Sequence, residues 1–358
     1  MPACASRMFR TIFSRIPRKE YPTWRALSSS FKFSEFRKCE NVNPRPELTS
    51  ELIEPQIPKS IKYLNELTLK EKQNFFDSFD LVLCDCDGVI WQSIYDALPG
   101  SMEAIDYLKR QGKEVTYVTN NSIIPIEMQL KKFQKCGLEV QKHDIVHPAQ
   151  TICDHLKSIQ FDGLIYCITS DAFKSVLRDA GFKLVEECVG YVNTLEDLRV
   201  AINSDDPVAA VIIDVDFNLT APKLMRAHGY LRNNPECLFI GGAADTLITL
   251  GGNDVIGPGP YISVVEETSK RKALILGKPG VALRDIVMEK HQIQNPQRCL
   301  FIGDSIVTDV RFAKMCGFQT LLVLSGTTTQ EDLKSKLTET DTPDYVTECL
   351  GDLNGFFS

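Results

Sequence analysis

LVLCDCDGVIW, residues 81–91, sets four apolar residues directly before Asp85-Cys86-Asp87-Gly88. A short, continuously apolar run reads as a strand buried on both faces. A polar turn following it is what a parallel sheet presents at a strand's carboxyl end. The arrangement recurs: 115–118 leads into Thr119-Asn120-Asn121-Ser122, 273–276 into Gly277-Lys278-Pro279, and 299–302 into Gly303-Asp304-Ser305 with Thr308-Asp309; 320–324 is a further apolar run. Between the first two strands a helix is expected, opened by Pro99 and Ser101, facing inward at Ala104, Ile105 and Leu108, and ended by Gly112. Apolar runs alternating with amphipathic ones predict an α/β fold with a Rossmann-like parallel sheet. In such a sheet the four polar clusters converge on one cleft, although they are drawn from positions 85 to 309. One D-x-D-G occurs by chance roughly 0.06 times in a chain this long. Four clusters, each at a strand end, carry the inference.

The middle of the chain has strands of its own at 164–168, 208–213 and 238–240 and helices at 171–180 and 221–233. It is long enough to be a domain inserted into the first. The expected organisation is a basic extension over 1–70, core over 71–161, an inserted α/β body over 162–270, and core again over 271–358. No internal repeat accounts for the 358 residues.

Charge is uneven. The chain carries a net -7, yet residues 1–50 hold ten basic residues against four acids. Arg7, Arg10, Arg15, Arg18 and Lys19 interleave with Met8, Phe9, Ile12, Phe13 and Ile16 before the first acid, Glu20, in the manner of an organelle transit peptide. Pro17, Glu20 and Pro22 interrupt the helical pattern, which favours a basic tail on a cytoplasmic protein, with mitochondrial import as the alternative. No apolar run is long enough for a membrane span, no secretory h-region is found near the start, and the acidic balance does not suit a nucleic-acid partner. Twelve cysteines form no C-x-x-C pair, and five histidines form no zinc-ligand spacing. There is no G-x-S-x-G elbow and no P-loop.

What remains is an inventory of Asp85, Asp87, Asp304 and Asp309, one ammonium at Lys278, and the neutral donors of Thr119, Asn120 and Asn121. Clustered carboxylates call for a cation, and oxygen-only ligation suits Mg2+ better than zinc. A lysine and neutral donors around such an ion describe a phosphoryl pocket. A carboxylate can itself be the nucleophile, through an aspartyl-phosphate.

These residues resemble the haloacid dehalogenase-like hydrolases, specifically the branch of phosphoglycolate, pyridoxal phosphate and p-nitrophenyl phosphatases. The resemblance spans about 75–355 and rests on DCDGVIW (85–91), YVTNNS (117–122), GYLRNNPECLFIG (229–241), GKPG (277–280) and GDSIVTD (303–309). It implies that Asp85 attacks phosphorus and that Asp87 is acid and then base. It implies that Asp85, the Asp87 carbonyl and Asp304 hold Mg2+ with Asp309 in support. Thr119, Asn120 and Asn121 would hold phosphoryl oxygens, and Lys278 would offset charge. It further implies that 162–270 is a cap over the cleft and that the cap joins two copies into a homodimer. The expected partner is a small phosphate ester, with no nucleic acid or membrane. The chain departs from its relatives in two places. Where they read F-I-A/G-T-N-x-D, it has Phe239-Ile240-Gly241-Gly242-Ala243-Ala244-Asp245, and Ile123-Ile124-Pro125 follows the NNS. Ile248 stands where pyridoxal phosphate phosphatases place a histidine. A phosphoglycolate-like substrate is thereby favoured over a pyridine ring. The alternative is a weak or inactive relative that binds a phosphate ligand or a partner protein.

Overall fold

The computed structural model describes residues 61–92, 97–185, 191–203, 205–250 and 253–356. The basic segment from Arg7 to Lys19 lies outside them. Seven parallel strands form the core sheet in the order Lys62–Tyr63, Tyr345–Thr347, Gln319–Val323, Cys299–Gly303, Leu81–Cys84, Glu114–Val118, Ile145–Val146. Successive side chains of a strand point to opposite faces, so each apolar run feeds two layers. Val82, Cys84, Val115, Tyr117, Leu300 and Ile302 pack with Phe75, Ala104, Leu108 and Phe133 from helices Leu69–Asp77, Ser101–Arg110 and Ile126–Lys135. Leu81, Leu83, Val118 and Phe301 pack on the other face with Leu283, Val287 and Phe312 from Val281–Lys290 and Arg311–Cys316. This two-sided burial explains why the strands are apolar throughout. The helix between the first two core strands buries Ser101, Ala104, Ile105 and Leu108, as its stripe requires.

The core begins ten residues earlier than the sequence boundary of 71. Lys62–Tyr63 pairs with the carboxyl-terminal strand, Leu64 is fully buried, and Thr68 and Glu71 cap helix Leu69–Asp77 reciprocally. A two-residue edge strand is too short to show a pattern.

A second sheet has five parallel strands in the order Leu274–Ile275, Leu238–Gly241, Val208–Ile213, Leu164–Ile168, Lys183–Leu184. The run at 273–276, read above as a core strand, belongs here: Leu274 and Ile275 pair with Ile240 and Gly241. An apolar run says nothing of which strand it will pair with, and this one is not even buried throughout, since Leu274 is exposed while Leu276 is buried. For the same reason helix Pro148–Ser158 lies outside the expected 162–270, yet it packs Ala149, Ile152, Cys153 and Leu156 against Ile165, Cys167 and Ile212 of this sheet. Helix Val281–Lys290 serves both bodies, with Leu283 and Val287 in the core cluster and Ala282 and Ile286 against the second. Ile248 sits on an antiparallel hairpin, Leu247–Leu250 with Asn253–Ile256. No described helix is long and apolar enough to cross a membrane.

The order of the core sheet fixes where a ligand belongs. From Leu81–Cys84 the chain moves to Glu114–Val118 and Ile145–Val146 on one side, whereas Cys299–Gly303 and later strands lie on the other. A doubly wound sheet opens its crevice at that reversal, outside the carboxyl ends. Asp85 and Asp304 flank it.

Candidate active site

Register brings the clusters level. Cys84 is aligned with Tyr117 on one side and Ile302 on the other, so Asp85, Thr119 and Asp304 leave adjacent strand ends together. Lys278 arrives from the second sheet, just past Leu274–Ile275. Its Nζ is 2.8 Å from Asp85 Oδ1 and 2.7 Å from Asp309 Oδ1, in a site from which water is almost wholly excluded. Asp85, Asp304 and Asp309 each offer an oxygen within 4.8 Å of the others.

Each carboxylate is fixed by local structure. Asp85 Oδ1 accepts from its neighbour, the Cys86 N–H, at 2.7 Å. After Cys299–Gly303 the chain makes a wide π-helical turn, Ile306–Val310, capped by Ser305. Turns of this kind recur at functional sites. This one folds Asp309 back so that Oδ2 accepts the N–H groups of Asp304 and Ser305, at 3.1 and 3.0 Å. Asp304 Oδ2 accepts from the Thr327 N–H at 2.5 Å. Gly88 and Gly326 leave room for that carboxylate: a Cβ on them would fall 2.5 and 2.1 Å from Asp304 Oδ2, and Gly88 also adopts φ +81°.

Burial dominates the electrostatics. It pushes the Asp85 carboxyl well above the usual range, against the pull of Lys278 and with the help of Asp309 and Asp304. Asp304 is pushed up to about 6 by burial and then by Asp309. Burial alone would lower Lys278, but Asp309 and Asp85 hold it above its ordinary value, so it stands as an ammonium. Three carboxylates on one ammonium leave two negative charges when all are ionised. A divalent oxygen-seeking cation matches that excess and the donor set, and Mg2+ fits. Among the described residues, no His or Cys joins the cluster.

Asp87 is set apart. Its carboxylate accepts from Trp91 Nε1 at 2.8 Å and from Asn121 Nδ2 at 2.9 Å, with Lys132 Nζ 3.9 Å away. It therefore contributes no side-chain oxygen to the three-carboxylate cluster. It faces a small cleft lined also by Thr119, Ile124 and Lys132. Lys132 stacks over the Trp91 ring at 3.9 Å.

Of the neutral donors read from sequence, Thr119 and Asn121 line that cleft; the Thr119 hydroxyl accepts from the Asn121 N–H at 3.0 Å and retains its own proton to donate. Asn120 instead clamps the lysine backbone, accepting from Lys278 N–H at 2.8 Å and donating to Lys278 O at 3.0 Å and to Asp245 Oδ2 at 2.7 Å. Asn121 holds Asp87 and caps the turn through the Ile123 and Ile124 N–H groups. Sequence reading did not single out Trp91, Lys132, Thr327 or Asp245. Trp91 and Asp245 left signals, the first four residues after Asp87 within the DCDGVIW run and the second as the retained acid of the F-I-A/G-T-N-x-D stretch.

Residues 82–183 match the family model of haloacid dehalogenase-like hydrolases, and residues 275–353 a second model of hydrolases like them. The chain is 30% identical over 337 residues to the chloroplastic phosphoglycolate phosphatase 1A of Arabidopsis thaliana, covering 91% of this chain and 88% of that protein. It is 30% identical over 285 residues to glycerol-3-phosphate phosphatase of Gallus gallus, covering 76% and 90%. The crystal structure of a 4-nitrophenylphosphatase from Thermotoga maritima superposes with a TM-score of 0.65 at 26% identity, over 78% of this chain and 98% of that one.

Proposed function

The chain belongs to the haloacid dehalogenase-like hydrolases, and within them we propose that it is a Mg2+-dependent phosphatase of small organic phosphate monoesters, working through a phosphorylated Asp85. The observation that supports this reading best is the buried Asp85–Lys278–Asp309 chain with Asp304 beside it, at the reversal of the sheet. Asp85, Asp304 and the backbone carbonyl of Asp87 would hold Mg2+, supported by Asp309. Bound there, Mg2+ supplies charge neutralisation for the phosphoryl oxygens and keeps Asp85 ionised.

The chain's own residues do the rest. Lys278 and the Cys86 N–H fix the plane of the Asp85 carboxylate. One of its oxygens attacks phosphorus as the ester P–O bond breaks, and Asp87 gives its proton to the departing alkoxide. Asp87 then takes a proton from water. The water oxygen bonds to phosphorus, the bond to Asp85 breaks, and inorganic phosphate leaves. Thr119 donates to a phosphoryl oxygen. Asn121 and Trp91 hold Asp87 at the mouth of the cleft, the position an acid and base for both steps must keep. The relatives' names support phosphoglycolate and glycerol 3-phosphate as first substrates to try. The departures at Gly242–Ala244 and Ile123–Ile124 lie outside the charged cluster, which favours an active enzyme over a binding-only relative.

The test is phosphate release from p-nitrophenyl phosphate, phosphoglycolate and glycerol 3-phosphate, with and without Mg2+. Asp85→Asn should lower kcat by about 10^3-fold or more. Turnover persisting in that variant overturns the mechanism.

A further inference from the structure

The second sheet also ends in polar residues: Thr169 and Ser170 follow Leu164–Ile168, Asp214 follows Val208–Ile213, and Gly242 follows Leu238–Gly241. In a parallel sheet this end is where a ligand would sit. Here it is filled by the core loop that carries Thr119 and Asn120. Ser122 Oγ donates to Asp214 Oδ1 at 2.7 Å, and Ser170 Oγ donates to the Ser122 carbonyl at 3.3 Å. Asp214 and Ser122 are both buried, at 1% and 2% exposure. Asp214 Oδ1 also accepts from the Val215 N–H at 2.6 Å, while Oδ2 has no partner among the described residues.

A buried carboxylate oxygen without a donor is costly, and the proposed reaction has no use for this one. It also occupies made space: a Cβ on Gly242 would lie 1.8 Å from Oδ2. A side chain at 242 and the Asp214 carboxylate therefore exclude each other. Burial pushes the Asp214 carboxyl up to about 7, opposed by the Ser122 and Val215 donors and assisted by Asp245. Near neutrality a proton on Oδ2 removes the cost of a bare buried anion, and the Ser122 bond to Oδ1 survives.

We propose that Asp214 is a positioning residue: through Ser122 it fixes the loop at 119–122 from the end of the second sheet, and Gly242 is the glycine that leaves room for it. The loop holds Thr119 toward the cleft and Asn120 on the Lys278 backbone, so a loosened Asp214–Ser122 bond reaches both. The catalytic consequence rests on the function proposed above, whereas the mechanical one does not.

The experiment combines hydrogen exchange of the peptide spanning 117–124 with steady-state kinetics on p-nitrophenyl phosphate and Mg2+. Asp214→Ala should speed exchange at 119–124 by about tenfold or more and lower kcat/KM by on the order of tenfold. Asp214→Asn, which keeps an acceptor for Ser122, should stay within about threefold on both counts. Ser122→Ala removes the same bond from the core side, carries the test if Asp214→Ala fails to fold, and should add nothing to Asp214→Ala in the double variant. Exchange at 119–124 unchanged in Ser122→Ala, or Asp214→Asn as disruptive as Asp214→Ala, overturns the proposal. Absence of turnover in the wild type would instead reject the proposed function and leave the exchange result to stand.

Discussion

Both sheets of this molecule end a buried central strand in the pattern Asp-x-Asp: Asp85-Cys86-Asp87 after Leu81–Cys84, and Asp214-Val215-Asp216 after Val208–Ile213. The continuations differ. Gly88, at φ +81°, turns the first chain tightly under Asp304, whereas the second continues into Phe217, which is exposed. In the core, Asp85, Asp304 and Asp309 crowd around a single ammonium. In the second sheet each carboxylate has its own partner: Asp214 takes Ser122, Asp216 takes Lys223 at 2.6 Å, and Asp245 takes Asn120. Like architecture thus yields a centre with unbalanced charge and an end whose carboxylates are separately matched. Excess of carboxylate over donor is what separates the proposed cation and phosphoryl site from the second sheet's end; the carboxylates alone do not.

The largest effect should come from removing the ammonium between Asp85 and Asp309. Lys278→Met leaves Asp85 and Asp309 buried without an opposite charge, and breaking such a pair costs about 3–5 kcal/mol. A clear fall in Tm should accompany a loss of kcat of about 10^3-fold. A variant that stays both stable and active would erase the distinction between the two ends. Next comes the metal. Stripping the protein with a chelator and restoring Mg2+ at 100 times its Kd should raise stability by about 2.7 kcal/mol, read as Tm. Asp304→Asn should lose that increment and Asp214→Asn should keep it. An increment that depends on Asp214 would place the cation at the wrong sheet.

Asn120→Ala probes where the two ends meet, because its amide holds both Lys278 backbone groups and reaches Asp245. A fall in kcat/KM of about 10–100-fold is expected, with Mg2+ affinity from the Tm titration unchanged. The role of this residue was not legible in the sequence. Asparagine beside Thr119 reads as a phosphoryl donor, and its real partner lies 158 residues away. The placement of Asp85 and Asp304 was legible because each follows directly on a buried strand, where position along the chain dictates position in the cleft; Asp309 reaches the same place through the π-helical turn and Lys278 through a loop after a strand of the second sheet. Strand neighbours were less so. Leu274–Ile275 has the composition of a core strand and pairs in the other sheet. Lys62–Tyr63, Ile145–Val146 and Lys183–Leu184 have two residues each, too few for periodicity to register.

The smallest effect is the most selective. The Asp214 carboxyl moves from its ordinary 3.8 up to about 7 in the folded protein, chiefly through burial. A carboxyl whose folded value is raised holds its proton in the native state across a range where the unfolded chain has lost it. Its stabilising share is complete below about pH 4 and disappears as pH rises through about 7. Asp214→Asn cannot titrate, so it should gain on the wild type over that window. The difference in Tm, variant minus wild type, should grow from pH 4 to 7 and level off above, by about 2–4 °C per kcal/mol for a domain of this size. His147, pulled down to about 4 by burial, loses stability for both proteins as pH falls below its ordinary 6.5 and cancels in the difference. A flat difference across this range would mean that Asp214 is ionised in its pocket. The two sheet ends would then both be anionic, and the contrast between them would rest on partners alone.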